Sequence, residues 1–186
     1  MNKLKLAIIG HSSNNSVTEC AKLYANALVD FVNHHDCILC SGGCNGIIEY
    51  VNNAISLKDK ILYYSPCKTL AEHNELYHLN MSDVTSNCID DNISKDLNYN
   101  FIYRSLEMIN DVDVVICFYG TWGTLGELDF AVMLGKKIIF VNENNRNQML
   151  EIYKTIDNLS EYEYNERVYT PNTIEEFRQT LEKLEN

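Results

Sequence analysis

Apolar positions in this chain recur with two different periods that take turns along its length. The runs Lys3 to Ile9, Asp36 to Ser41, Lys60 to Tyr64, Asp113 to Phe118 and Lys136 to Val141 are short and mostly β-branched or otherwise apolar. They read as strands buried on both faces, the signature of a parallel sheet. Between them the apolar residues return at three- and four-residue intervals, which predicts helices over Val17 to Asn33, Ile47 to Ile55, Thr69 to Tyr77, Asp96 to Asn110, from Leu125 onward, and over Asn147 to Leu159. A short strand at Glu166 to Tyr169 and a helix from Thr173 to Leu184, capped by Thr173 or Asn172, close the chain. Ser82 to Ser94 is polar and Asx-rich, and reads as a loop over the site. Strand and helix alternate without a repeat, a linker or a break in composition. The expectation is a single domain over residues 1–186, of the α/β class, with a doubly wound parallel sheet and helices on both faces.

In such sheets ligands bind beyond the carboxyl ends of the strands, where the strand order reverses. If the first and fourth strands are neighbours, the loops that follow them flank one crevice. The first is Gly10 to Ser16, a polar stretch that is either a ligand loop, with Gly10, Ser12 and Ser13 as contacts, or a plain turn with Ser16 as helix cap. His11 is the histidine placed to reach that crevice. A second corner, Gly42, Gly43, Cys44, Asn45 and Gly46, follows the second strand and partly matches a dinucleotide fingerprint. The third lies between Phe118 and Leu125, where Gly120, Thr121, Trp122, Gly123 and Thr124 lead into a helix with Thr124 as the expected cap. A strand, a glycine turn and a helix start together favour an anion, because unpaired amides and the helix dipole point the same way.

Composition narrows the partners. The chain has 186 residues, 46% hydrophobic and 22% charged, as in ordinary globular proteins. Its 15 Lys and Arg stand against 26 Asp and Glu, for a net charge of −11, which argues against nucleic acid or an anionic membrane as the main partner. No run approaches the roughly 18 apolar residues of a membrane span, and Met1 to Gly10 does not read as a signal peptide. The seven cysteines, an odd number, point to reduced thiols and a cytoplasmic setting. Cys37 and Cys40 lie three apart in a strand and so face opposite sides of the sheet, which argues against a shared metal. No metal and no cofactor are expected. His34 and His35 read as a solvated helix end.

Two side chains carry candidate chemistry. Arg104 lies on the predicted helix before the fourth strand, one turn after Asn100, so the two face a common place. Arg104 can instead pair with Glu107 or Asp111. Glu127 falls just inside the helix after the glycine turn, where a carboxylate near an anion corner is either a dipole partner or a general base. The segments Arg104-Ser-Leu-Glu-Met108, Asp113-Val-Val-Ile116 and Tyr119-Gly-Thr-Trp-Gly-Thr-Leu-Gly-Glu127 resemble the Lonely Guy (LOG) family and its relatives in the wider SLOG superfamily. The family pattern is an arginine, a strand, then Pro-Gly-Gly-x-Gly-Thr-x-x-Glu. The corner Ser41 to Gly46 and the closing stretch Tyr169 to Leu184 extend the likeness over most of the chain.

The resemblance implies a Rossmann-like, homodimeric domain that takes a small-molecule nucleotide. The implied reaction hydrolyses the N-glycosidic bond of a nucleoside 5'-monophosphate to free base and ribose 5-phosphate. Glu127 matches the family's catalytic glutamate and Arg104 its catalytic arginine, with the amides of Gly120 to Thr124 and the Thr124 hydroxyl on the phosphate. Tyr119 and Thr121 depart from the family's proline and second glycine, and a Cβ at 121 is a handicap if that position needs a positive φ. Trp122 can stack on a base, cap the cleft or pack against a partner subunit. Two other readings stand beside the hydrolase: a binding protein that senses or carries a phosphate-bearing ligand without turnover, and an interaction-only dimer. The tyrosines from Tyr153 to Tyr169 could serve an interface or cover core edges.

Overall fold

Leu4–Ile9 (β1) runs through the middle of the sheet, with Cys37–Ser41 (β2) on one side and Val114–Cys117 (β5) on the other. The computed structural model describes residues 3–14, 17–82, 85–88, 96–143, 148–156 and 166–185. Among these residues the sheet is seven-stranded and parallel throughout. Ile61–Ser65 (β3) and Thr85–Cys88 (β4) lie beyond β2, and Lys137–Phe140 (β6) and Val168–Tyr169 (β7) beyond β5, in the order β4-β3-β2-β1-β5-β6-β7. The order therefore reverses between β1 and β5, with Ile9 opposite Cys117 in register. That register brings the two loops after these strands to the same edge.

The alternation along β1 divides the core in two. Leu6 and Ile8 join Glu19–His34 (α1), Ile47–Ala54 (α2) and the closing helix Ile174–Glu185 (α7), whereas Ala7 and Ile9 face the opposite way. The second layer is built by Leu97–Asp111 (α4), Trp122–Met133 (α5) and Gln148–Ile156 (α6). Leu70–Tyr77 (α3) connects β3 to β4. Cys37 and Cys40 fall in different layers, as their spacing requires, and both are fully buried. The doubly wound arrangement with helices on both faces is the expected one.

The structure moves several boundaries. α1 begins at Glu19, with the Thr18 side chain accepting from the Ala21 amide at 3.0 Å, and the proposed cap Ser16 lies outside the described residues. α5 begins at Trp122 with Thr121 in the N-cap position, earlier than the apolar spacing suggests, because exposed Trp122 and Gly123 add nothing to a buried stripe. The stretch read as a loop over the site contains β4, whose four residues pair in parallel with Leu62 through Ser65. TSNC has no apolar alternation because it is an edge strand that reaches no core. Residues 83–84 and 89–94 of that stretch lie outside the described residues. Glu166 and Arg167 are helical, so β7 is the pair Val168–Tyr169. Tyr153 is a core residue against Phe140, and His35 stacks on Phe31 with its Nδ1 at 2.5 Å from Glu185, so only His34 is a solvated helix end.

The second glycine corner is used by the fold itself. Asn14 Oδ1 accepts from the Gly46 amide at 2.7 Å and His11 carbonyl from Ile47 at 3.4 Å, so the first loop already occupies the start of α2. Gly46 has φ 76, and a Cβ there would stand 2.2 Å from the His11 carbonyl oxygen. Gly46→Ala is expected to cost about 2–3 kcal/mol, combining left-handed strain with a backbone collision. A denaturant midpoint shifted by that amount checks it, and wild-type stability would refute the clamp.

Candidate functional site

β5 delivers the chain to the reversal point, and α4 and α5 stand on either side of it. α4 is capped by Asp96, whose carboxylate accepts from the Asn98 amide at 2.8 Å, and runs from Leu97 to Asp111 with Asn100, Arg104, Ser105 and Met108 on its buried side. α5 contributes Thr124, Glu127, Leu128 and Ala131. Where the two helices meet, Arg104 Nη1 lies 3.4 Å from Glu127 Oε1 and the Ser105 hydroxyl donates to the same oxygen at 3.0 Å. Both charged side chains are about nine-tenths buried. Arg104 therefore pairs across to Glu127 rather than along its own helix to Glu107 or Asp111.

The pair is incomplete. Arg104 Nε is buried with no hydrogen-bond partner among the described residues, and a 3.4 Å single contact is not a closed two-pronged bridge. The guanidinium is held by packing instead: the Phe101 ring lies 5.9 Å away, and Gly42 is so close that a Cβ there would stand 1.9 Å from Nη1. Gly42 is thus a surface against which Arg104 rests. Burial pushes the Glu127 pKa up, and Arg104 and Ser105 pull it back down.

Arg104, Ser105 and Glu127 line a cleft of about 540 Å³, the size of a small-ligand site. Its other wall is the turn. Thr121, Trp122, Gly123 and Thr124 line it, together with Gly10 and Ser12 from the first loop. The first amides of α5 have no partner within the helix, and the residues that carry them, Trp122, Gly123 and Thr124, line this cleft. Gly120 packs under the turn, where a Cβ would stand 2.0 Å from Thr124 Oγ1, which fixes the Thr124 side chain. Thr121 has φ −120, extended backbone that any residue adopts, so threonine in place of glycine brings no strain. Trp122 is 86% exposed and forms part of the mouth.

Other predicted residues lie apart from the cleft lining. Ser13, Gly42, Gly43, Asn45, Gly46, Asn100 and Gly120 do not line it. Ser13 donates its amide to His11 Nδ1 at 2.9 Å, and Asn45 Nδ2 donates to the Tyr77 carbonyl at 3.1 Å. His11 stacks on Tyr119 and donates its amide to the Tyr119 carbonyl at 2.9 Å, tying the two loops together. The Gly43 carbonyl accepts from His73 Nε2 at 2.9 Å, and His73 Nδ1 lies 2.9 Å from Ser65 Oγ. Burial pushes the His73 pKa down, so it is a neutral structural latch.

The sequence reading missed Ser105, Phe101, Tyr77, Cys44 and Phe130 in the lining. Phe101 and Ser105 could have been found, since they sit four apart on one helical face that flanks Arg104. Cys44 lies inside the second glycine corner but was passed over for its glycines, and Tyr77, at the end of α3, carries no local signal. Cys44 has its pKa pushed up to about 11 by burial, so it is a neutral thiol and no nucleophile near neutrality.

Among the described residues no helix is long and apolar enough to cross a membrane. No curated protein sequence matches this chain. Solved structures do. The TM1055 protein is 19% identical over 97% of this chain and 99% of its own, with a TM-score of 0.64. The molybdenum cofactor carrier protein of Chlamydomonas reinhardtii is 14% identical over 98% of both chains, at 0.64. DNA processing protein A from Helicobacter pylori is 19% identical over 98% of this chain and 82% of its own, at 0.65. At these identities the likeness shows the fold.

The last comparison corrects one expectation. The Helicobacter protein, on this same fold, is described by its single-stranded DNA binding mode, which overturns the exclusion of nucleic acid drawn from net charge. Net charge is a sum over the whole surface, whereas a backbone is gripped by local amides and cations, so −11 decides nothing at one groove. The sequence pattern matches the model of one family over residues 3–172. With the doubly wound sheet, the Arg104–Glu127 pair and the glycine turn all inside that span, the chain belongs to the SLOG cluster4 family.

Proposed function

We propose that this protein hydrolyses the N-glycosidic bond of a nucleoside 5'-monophosphate. The observation that carries this reading is the buried, incomplete Arg104–Glu127 pair in a cleft that the N-terminal residues of α5 also line. The turn amides from Thr121 to Thr124 hold the phosphate, with the Thr124 hydroxyl as a further donor. Glu127, ionised, lies against the ribose and stabilises the positive charge that develops as the C1'–N bond lengthens. Arg104 keeps Glu127 charged. Water adds to C1', the bond's electron pair leaves with the base, and the base takes up a proton. A carrier of phosphate would need the turn but would gain nothing from a buried carboxylate beside it.

Purified protein incubated with a panel of nucleoside 5'-monophosphates is expected to release free base and ribose 5-phosphate from at least one. The matching nucleosides, which lack the phosphate, should be turned over far more slowly. Stabilisation by nucleotides with no base released from any would replace this reading with that of a binding protein.

The Glu127 environment sets a pH dependence. The active form is the carboxylate, and burial raises its pKa, so activity should fall, as pH is lowered, from above the ordinary carboxylate range. Replacing Arg104 by Met removes the group that pulls the pKa down and should move this acid limb to higher pH. A limb at the ordinary carboxylate position in both proteins would contradict the assignment.

The same reading includes a homodimer. Ile102 on α4 and Trp122 and Met133 on α5 are 59%, 86% and 74% exposed, apolar side chains that a second copy would cover. Light scattering on the eluting protein, compared with Met133→Glu, measures this directly.

A further inference from the structure

Two groups hold the same oxygen of Glu127, and they hold it differently. Arg104 Nη1 reaches Oε1 at 3.4 Å, while the Ser105 hydroxyl donates to it at 3.0 Å. At the longer distance the guanidinium acts mainly through its charge, which falls off slowly, whereas a hydrogen bond of ordinary length also fixes direction. Arg104 is itself placed by packing against Gly42 and Phe101. The orientation of the carboxylate therefore rests on Ser105.

A serine inside a helix tends to turn its hydroxyl back on the carbonyl four residues earlier, and alanine is the better helix former. Ser105 is buried in the middle of α4, and its hydroxyl crosses to α5 instead. Glu127 Oε2 accepts from no described residue and is not sealed in the packing. It is the oxygen through which Glu127 lines the cleft. Cys44, Tyr77 and Cys117 are the other titratable groups around the carboxylate, and burial raises the pKa of each, so they stay neutral at acid and neutral pH. Arg104 is the charged neighbour and Ser105 the uncharged donor.

We propose that Ser105 is a positioning residue for the hydrolysis, anchoring Glu127 Oε1 so that Oε2 is the oxygen presented to C1' of the ribose. The proposal rests on the hydrolase reading of the cleft. Arg104 supplies charge and Ser105 supplies aim, acting through Glu127 and not on the substrate. Without the hydroxyl the carboxylate turns about its last side-chain bond, and its ionised form loses a donor.

Ser105→Ala and Ser105→Cys are compared with wild type on a nucleoside 5'-monophosphate that wild type turns over, with rates taken per folded chain. Ser105→Ala is expected to lower kcat about tenfold or more and to leave KM within about twofold, because the aim of Oε2 matters as charge develops at C1'. Its acid limb should move to higher pH, since the lost hydrogen bond favoured the carboxylate. An NMR titration of the Glu127 carboxyl carbon, assigned with Glu127→Gln, should show the same upward shift without turnover. Ser105→Cys fills the space with a weak donor and should follow alanine. The proposal is overturned if Ser105→Ala keeps the wild-type kcat, if its Glu127 titration does not move, or if Ser105→Cys performs as wild type. Wild-type protein that releases no base from any nucleotide overturns the hydrolase reading itself, and this proposal with it.

Discussion

Glu127→Gln is expected to lower base release by on the order of 10²–10³-fold while nucleotide binding stays within a few-fold of wild type. The substitution keeps shape and hydrogen bonding. Ser105 can still donate to the remaining side-chain oxygen, and Arg104 still has an acceptor near Nη1. What is lost is the negative charge beside the ribose, which matters only as the C1'–N bond breaks. The loss should therefore fall on kcat and leave KM nearly unchanged, the pattern of an interaction made in the transition state alone. The acid limb that reports Glu127 should vanish with it. A variant with wild-type kcat would remove Glu127 from the chemistry and leave the cleft as a binding site.

Gly42→Ala should separate activity from stability. The new methyl would meet Arg104 at 1.9 Å from Nη1 and 2.6 Å from Cζ, so the guanidinium must leave its position against Phe101 and Glu127. Gly42 does not have a positive φ, so the backbone accepts alanine, and the colliding group is the far end of a flexible side chain. The thermal midpoint is expected to move little. Turnover should fall on the order of 10²-fold, since small displacements of a positioned group carry penalties of this size. The acid limb should shift to higher pH, because Glu127 loses the cation that keeps it ionised. Unchanged turnover with Arg104 displaced would show that its place against Glu127 is structural. A large drop in stability with proportionate loss of folded protein would show that Gly42 serves packing alone.

These two substitutions differ in how far a sequence reader could have reached them. Glu127 sits inside a local pattern of strand, glycine turn and helix, and its role as a candidate follows from that pattern with Arg104 before it. Gly42 belonged to a different motif, the Ser41 to Gly46 corner, which suggested a ligand contact. In the folded chain that corner divides: Gly46 closes against His11, Gly43 against His73, and Gly42 against Arg104. None of the three lines the main cleft. The departures at the turn came out differently as well. Thr121 looked like a handicap because glycine there suggests a left-handed backbone, and the extended φ at this position removes that objection. His73 was silent in sequence, since a histidine in a polar helix looks solvated until the packing is known.

The class of fold, the strand that leads to the turn, and Arg104 and Glu127 as candidates are all legible along the chain. These follow from short-range rules: periodicity distinguishes strand from helix, and a glycine turn before a helix exposes amides wherever it occurs. What each of those residues touches depends on the folded arrangement. The parallel order β2-β1-β5 brings Gly42 under Arg104, seats the first loop on the start of α2, and turns the face of α2 toward the end of α3. Such contacts join residues far apart along the chain, and their geometry is set by sheet order and register, which no local pattern contains.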